Sequence, residues 1–68
     1  HGGMYGTAGI PDIICCYRGR FIGFEVKTDV GEPTKLQLSA IRKIKAAGGN
    51  ALVVRSVEET RAVIEDVP

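Results

Sequence analysis

The chain has 68 residues, a net charge of +1 and a hydrophobic fraction of 44%. This length predicts one small domain over residues 1–68, and the ordinary balance of apolar and charged residues argues against a disordered tail. No apolar run approaches the roughly 20 residues that a membrane span needs, and the glycine-rich first nine residues lack the apolar block of a signal peptide. The near-neutral charge also excludes a polybasic nucleic-acid-binding arm.

A β-hairpin is predicted in the first half of the chain. Residues 12–17 and 20–27 are rich in β-branched and aromatic side chains, and Arg18-Gly19 between them is a turn sequence. The glycines that precede the first of these segments indicate a loop. We therefore expect two antiparallel strands joined by a tight turn.

A helix over residues 35–47 is predicted next, with Thr34 as its N-cap and Gly48-Gly49 as its end. The stripe expected to face the sheet consists of Leu36, Ala40, Ile44 and Ala47, with Ile41 at its edge. Gln37 falls within this stripe, and a polar amide there needs hydrogen-bond partners. Two alternatives stay open: Gln37 reaches site carboxylates or a bound phosphate, or it closes a capping box with Thr34.

The last third of the chain predicts a strand and a second helix. Residues 51–54 are a short apolar strand, and Ser56 caps the helix that follows, with Glu59 completing a capping box. The predicted order is β-β-α-β-α, an α/β fold. Because a βαβ crossover places its two strands parallel beside the antiparallel hairpin, the sheet is expected to be mixed.

Register across the hairpin supports the main functional hypothesis. A turn loop of two or four residues places Asp12 opposite Glu25, with Cβ atoms about 4.5–5.5 Å apart, whereas a three-residue loop or a bulge breaks this register. Like charges opposite each other on a ladder are destabilising, so a cation between them is favoured. A hard divalent cation is the natural candidate because it prefers oxygen ligands.

Lys27 lies on the same strand face as Glu25, and Gly23 beside Glu25 is predicted to leave open space for a metal, a water or a phosphate. Two carboxylates that hold a metal, next to an ammonium that stabilises charge, make a compact hydrolytic set. The alternative is a solvated Glu25–Lys27 pair on an exposed strand, with Asp12 as a turn residue after Pro11.

Five segments in order form a more specific pattern: Gly9-Ile10-Pro11-Asp12-Ile13-Ile14, Gly19-Arg20-Phe21, Glu25-Val26-Lys27, Pro33-Thr34 with Gln37, and Ala47-Gly48-Gly49. From about His1 to Glu59 the chain resembles the VRR-NUC family of the PD-(D/E)xK nuclease superfamily. The resemblance implies a restriction-endonuclease-like core in a minimal form without the upstream helix. In the family, an acidic residue of that helix completes the metal site. A missing segment or a partner is expected to supply it, or the site is incomplete.

The resemblance implies a metal-dependent, structure-selective DNA endonuclease that acts on Holliday junctions, flaps or other branched DNA. By position, Asp12, Glu25 and the main-chain carbonyl of Val26 would bind Mg²⁺ or Mn²⁺. Lys27 would be the catalytic lysine, and Gln37 the glutamine that supports the site. Stand-alone viral and bacterial members imply a homodimer. The basic side chains expected to contact the DNA backbone are Arg18, Lys35, Arg42 and Lys43.

Two other functions stay open. One is a non-catalytic DNA-binding module on the same fold, motivated by the absent upstream acid. The other is a βαβ interaction domain without nucleic acid, supported only by the near-neutral charge. Adjacent Cys15 and Cys16 cannot easily bridge each other, and with one histidine they form no zinc site. Free thiols predict a reducing compartment, and the resemblance to viral and bacterial family members implies the cytoplasm of a bacterial or phage-infected cell.

Overall fold

The computed structural model describes residues 10–68, so His1 and the predicted glycine-rich loop lie outside the described residues. The elements in chain order are β1 (Ile13–Tyr17), β2 (Arg20–Val26), α1 (Lys35–Ala46), β3 (Asn50–Val54) and α2 (Val57–Glu65). The three strands form one sheet in the order β1-β2-β3. Strand β2 pairs antiparallel with β1 and parallel with β3, which confirms the predicted α/β fold and mixed sheet.

The hairpin turn has the predicted length. Arg18 and Gly19 both have positive φ, 54° and 78°, as the two central residues of a type I′ turn require. Tyr17 therefore pairs with Arg20, and the ladder continues without a bulge to Ile13 opposite Phe24. The register required for the carboxylate pair is confirmed as far as β1 extends.

The two faces of the sheet pack differently. On one face, Ile22, Phe24 and Val54 form a buried cluster against which apolar side chains of α2 pack. On the other face, α1 packs against β3. Because the direction of side chains alternates along β2, Glu25 faces the α1 side. In the described residues, neither helix is long and apolar enough to cross a membrane.

The predicted stripe of α1 is wrong at both ends. Leu36 is 61% exposed and Ala47 is also exposed, whereas Gln37, Ile41 and Ile44 are half-buried. The side of α1 that faces the sheet is therefore centred between Gln37 and Ile44, and it includes Ile41. The hydrogen bond from Gln37 to Glu25 accounts for this rotation, because it turns Gln37 toward the sheet and Leu36 away from it.

The cap of α2 also differs from its prediction. Ser56 Oγ accepts the predicted hydrogen bond from Glu59 N at 3.1 Å, but Glu59 Oε1 accepts from Arg55 N at 2.8 Å instead of closing the box on Ser56. The capping box is thus only half formed. The carboxylate of Glu59 fixes the backbone one residue earlier, at the exit of β3.

Candidate carboxylate site

Glu25 is the centre of the candidate site, which we call the carboxylate site and define as Asp12, Glu25, Lys27 and Gln37. Its side chain is 1% exposed, and it is the only buried polar or charged residue in the part of the chain that the structure describes. Burying a carboxylate is unfavourable unless hydrogen bonds or opposite charge compensate. The surroundings of Glu25 therefore decide what the site can do.

Gln37 provides the one hydrogen bond to this carboxylate found among residues 10–68. Its Nε2 donates to Glu25 Oε1 at 3.1 Å, while its Oε1 accepts from Thr34 N at 2.8 Å. Thr34 Oγ1 in turn accepts from Gln37 N at 3.1 Å, which completes the capping box. Gln37 therefore both reaches a site carboxylate and closes the capping box, because its amide nitrogen donates to Glu25 and its amide oxygen accepts from Thr34.

The second carboxylate oxygen of Glu25 is unsatisfied. Glu25 Oε2 is buried and has no hydrogen-bond partner within residues 10–68. An unpaired buried acceptor is rare in folded proteins and calls for a ligand, an ion or a proton at that position. Oε2 is therefore the atom of the site at which a binding partner is most clearly needed.

Asp12 lies next to the carboxyl group of Glu25. The hairpin register, carried one residue beyond β1, places Asp12 opposite Glu25, and Asp12 Oδ2 accepts from Val26 N at 2.9 Å. Burial raises the pKa of Glu25 above its usual value of 4.5, and Asp12 raises it further, because its carboxylate can accept a hydrogen bond from the protonated Glu25 carboxyl and its negative charge disfavours ionisation. The two acids are thus close enough to share a proton or a cation.

Lys27 supplies the positive charge on the same face. Its charge acts on Glu25 in the opposite sense to Asp12 and lowers the pKa of that carboxyl. The backbone around it is fixed, since Lys27 N donates to Val54 O at 3.0 Å. The side chain is half-buried, so its ammonium can face both the carboxylates and a ligand that enters from solvent.

The main-chain carbonyl of Val26 is the third metal ligand that the resemblance implies. Val26 N donates toward Asp12, on the β1 side of β2. In a strand, the N–H and C=O of one residue leave on the same side, as the exchanged bonds of an antiparallel pair show. The Val26 carbonyl is therefore directed to the side of β2 on which Asp12 lies.

The open space predicted beside Gly23 is wrong. A Cβ at position 23 would lie 2.7 Å from Pro11 Cγ and 3.7 Å from Ala51 Cβ. Glycine is needed here because the proline ring packs directly on the backbone of β2. Pro11 thus fixes the chain one residue before Asp12, and any ligand must enter from another side.

The donor set fits a hard divalent cation in part. An unsatisfied buried carboxylate oxygen, a second carboxylate and a nearby carbonyl are the oxygen ligands that Mg²⁺ and Mn²⁺ accept. Within residues 10–68, no group of three or more His, Cys, Asp or Glu side chains is placed to hold a metal ion. The described side chains thus supply two acids to such a site.

The basic residues expected to contact DNA are all exposed but lie in different places. Arg18 is in the hairpin turn, over the Tyr17 ring, and about 20 Å along β2 from Glu25. Lys35 is the first residue of α1, in the same helical turn as Gln37. Arg42 and Lys43 lie further along α1. Among the four, Lys35 is on the helical turn nearest to the carboxylate site.

Arg55 is a residue that sequence reasoning missed. It follows β3, and its guanidinium donates from Nη1 to the carbonyls of Thr28 and Gly31, at 2.5 and 2.6 Å. The contacted loop connects Lys27 to α1. No local pattern marks this contact, because its partners lie more than twenty residues apart.

Comparisons of the chain with protein-family models, with curated proteins and with solved structures found no match. The functional argument therefore depends on the geometry of the carboxylate site and on the order of the motifs.

Proposed function

We propose that the protein is a divalent-metal-dependent, structure-selective DNA endonuclease that hydrolyses phosphodiester bonds in Holliday junctions or flaps. One observation carries the proposal: Glu25 Oε2 is buried without a partner within the described residues, beside the carboxylate of Asp12 and on the strand face of Lys27. A surface pair of Glu25 and Lys27 would not leave a carboxylate 1% exposed.

The fold supports the same proposal. The β-β-α-β-α order, the mixed sheet and a glutamine at the start of the crossover helix are the features expected of a minimal restriction-endonuclease-like core. We accordingly propose membership of the VRR-NUC family within the PD-(D/E)xK superfamily. The ordered motifs and the contact between Gln37 and Glu25 support this assignment.

The residues have distinct roles in the proposed reaction. Asp12, Glu25 and the Val26 carbonyl would hold Mg²⁺ or Mn²⁺, which supplies Lewis acidity and lowers the pKa of a bound water. Gln37 orients the Glu25 carboxylate by donating to Glu25 Oε1, which would leave Glu25 Oε2 to bind the ion. Lys27 offsets the negative charge that develops on the phosphate as water attacks phosphorus and the bond to the leaving oxygen breaks.

The proposed partners follow from the resemblance, and the homodimer follows also from the small size of the domain. Branched DNA would be bound through its phosphates by exposed basic residues, with Lys35 on the helical turn nearest to the carboxylate site and Arg18, Arg42 and Lys43 further away. A homodimer would bring two sites to two strands of one junction. The proposed location is the cytoplasm of a bacterial or phage-infected cell.

The test of this function uses charge-neutralising variants with matched controls. Asp12→Asn and Lys27→Ala are expected to abolish Mn²⁺-dependent cleavage of branched DNA, while circular dichroism shows an intact fold. Asp66→Asn and Lys45→Ala change the same charges at exposed positions outside the site and outside the loop that follows Lys27, and these variants should cut normally. Undiminished cleavage by either site variant would reject the assigned roles.

A non-catalytic DNA-binding module is the second candidate, and one observation favours it. In the described part of the chain the site contains two acids and not three. Calorimetry separates the two candidates: intact binding of branched DNA without Mn²⁺ binding at micromolar to millimolar concentrations would favour the module. Failure to bind any branched DNA at low salt would exclude both and favour an interaction domain.

A further inference from the structure

Arg55 connects the end of β3 to the loop that follows Lys27. Its Nη1 donates to both Thr28 O and Gly31 O, and its Nη2 lies 3.8 Å from a carboxylate oxygen of Glu32. Glu32 is 82% exposed, so this ion pair adds little. The two carbonyl contacts are therefore the main interaction of the guanidinium.

The contacted loop has its own turn, and Arg55 binds both of its ends. Gly31 N donates to Thr28 O at 3.2 Å and to Thr28 Oγ1 at 3.1 Å, which closes the turn over residues 28–31. Arg55 bonds the carbonyls of these same two residues. Its guanidinium thereby fixes the turn relative to β3. The start of the same loop is also held at β3, because Lys27 N donates to Val54 O.

This loop separates two members of the carboxylate site. It begins directly after Lys27 and leads to Thr34, the N-cap of α1. The cap fixes Gln37, whose Oε1 accepts from Thr34 N while its Nε2 donates to Glu25. A displacement of the loop would therefore move the cap, and with it the amide that holds the buried carboxylate.

We infer that Arg55 is a positioning residue for the carboxylate site: its contacts with the loop over residues 28–34 hold Gln37 in hydrogen-bond contact with Glu25. The consequence for catalysis rests on the proposed function, whereas the effect on Gln37 does not. A guanidinium suits this role because one planar group can donate to two carbonyls while its stem packs, and a lysine ammonium cannot reproduce that geometry.

The chain offers a direct readout of the effect. Gln37 is its only glutamine and Asn50 its only asparagine, so two side-chain amide groups account for all amide NH₂ resonances in an NMR spectrum. Asn50 begins β3 at the end far from Arg55, and its Oδ1 accepts from Ala51 N at 2.9 Å. It serves as an internal reference for the intact fold.

The experiment compares Arg55→Met and Arg55→Lys with wild type in the full chain. In Arg55→Met, the Gln37 NH₂ resonances should move toward those of an unstructured glutamine while those of Asn50 stay in place. In Arg55→Lys, the Gln37 resonances should move less far from their wild-type positions, because the lysine ammonium can still reach one carbonyl. Arg61→Met removes the same charge from an exposed position of α2 and should leave both amides unchanged.

Two results would overturn the inference. In the first, the Gln37 resonances stay at their wild-type positions in Arg55→Met. In the second, Gln37 and Asn50 move together, which would indicate general loosening of the fold. If Arg55→Met does not fold, Arg55→Lys decides by the same criterion, with an intermediate shift of Gln37 alone as the supporting result.

The catalytic consequence is measured separately. Changes in residues that orient metal ligands typically reduce metal affinity or activity by about 10–100-fold. We expect Arg55→Met to lose Mn²⁺ affinity or kcat by a factor of this size, while KM stays unchanged. If the Gln37 resonances move in Arg55→Met but Mn²⁺ affinity and kcat stay at wild-type values, the expected effect on catalysis is wrong. A wild-type protein that neither binds Mn²⁺ nor cuts DNA would reject the proposed function, and the amide spectrum would still decide the role of Arg55.

Discussion

Glu25→Gln is expected to make the metal-free protein more stable while removing the proposed metal site. The substitution keeps Oε1, which accepts from Gln37, and replaces the unsatisfied Oε2 with an amide that can donate to Asp12. An unpaired buried polar group costs about 1–3 kcal/mol, so the free energy of unfolding should rise by about this amount at neutral pH. For a domain of this size, the melting temperature rises by about 4–8 °C per kcal/mol.

The pH dependence of this gain follows from the direction of the pKa shift. Burial, followed by Asp12, raises the pKa of Glu25 above 4.5 in the folded protein. Between 4.5 and the raised pKa, the folded protein binds more protons than the unfolded chain, so its free energy of unfolding falls as pH rises through that window. Glu25→Gln has no carboxyl at this position, so its free energy of unfolding does not fall in this window. The difference in stability between the variant and wild type should therefore be smallest below pH 4.5.

Urea denaturation of both proteins across this pH range, with and without Mn²⁺, is the measurement. At Mn²⁺ about 100-fold above Kd, wild type gains about 2.7 kcal/mol, whereas the variant gains none, so the advantage of the variant disappears. Glu58→Gln, at an exposed position of α2, removes the same charge and should change stability by about 0.5 kcal/mol or less. A variant that is less stable than wild type at neutral pH, or a gain independent of pH, would refute the reasoning.

Two further predictions concern the supports of the site. Gly23→Ala should reduce stability by about 1–3 kcal/mol, because its Cβ would lie 2.7 Å from Pro11 Cγ, and the double variant with Pro11→Ala should recover most of the loss in urea denaturation. Gln37→Ala should weaken Mn²⁺ binding in calorimetry. Thr34→Ala keeps the main-chain bond from Thr34 N to Gln37 Oε1 and loses only the hydroxyl cap, at about 1 kcal/mol, so it should bind Mn²⁺ nearly as wild type does. Equal affinities in Gln37→Ala and wild type would contradict the role of the amide.

Local sequence features were sufficient to predict the element order and the hairpin register. The dipeptide Arg18-Gly19 suits a two-residue turn, and turn length alone determines which residues of the two strands pair. The opposition of Asp12 and Glu25 follows from that pairing, so the core of the carboxylate site could be predicted before any coordinates. Strand and helix ends differ by one residue from the prediction, as expected where ladders end.

Contacts between distant segments could not be predicted in the same way. The packing of Pro11 on Gly23 depends on how the chain enters β1, and the rotation of α1 toward Gln37 depends on a polar bond to the sheet. Periodicity reports which side of a helix is apolar, but it contains no information on such a bond. The contact of Arg55 with the loop after Lys27 has no local signature at all.

The turn at Arg18-Gly19 lies at the end of β2 remote from the carboxylate site, yet its length fixes which way Asp12 points. An insertion of one residue there would slip β1 by one position and turn every side chain of that strand to the opposite face. Substitutions that tolerate left-handed backbone are compatible with the turn, whereas an added or deleted residue is not. In homologous chains that keep Asp12 opposite Glu25, turn length should therefore change only by even numbers of residues, even where turn composition varies.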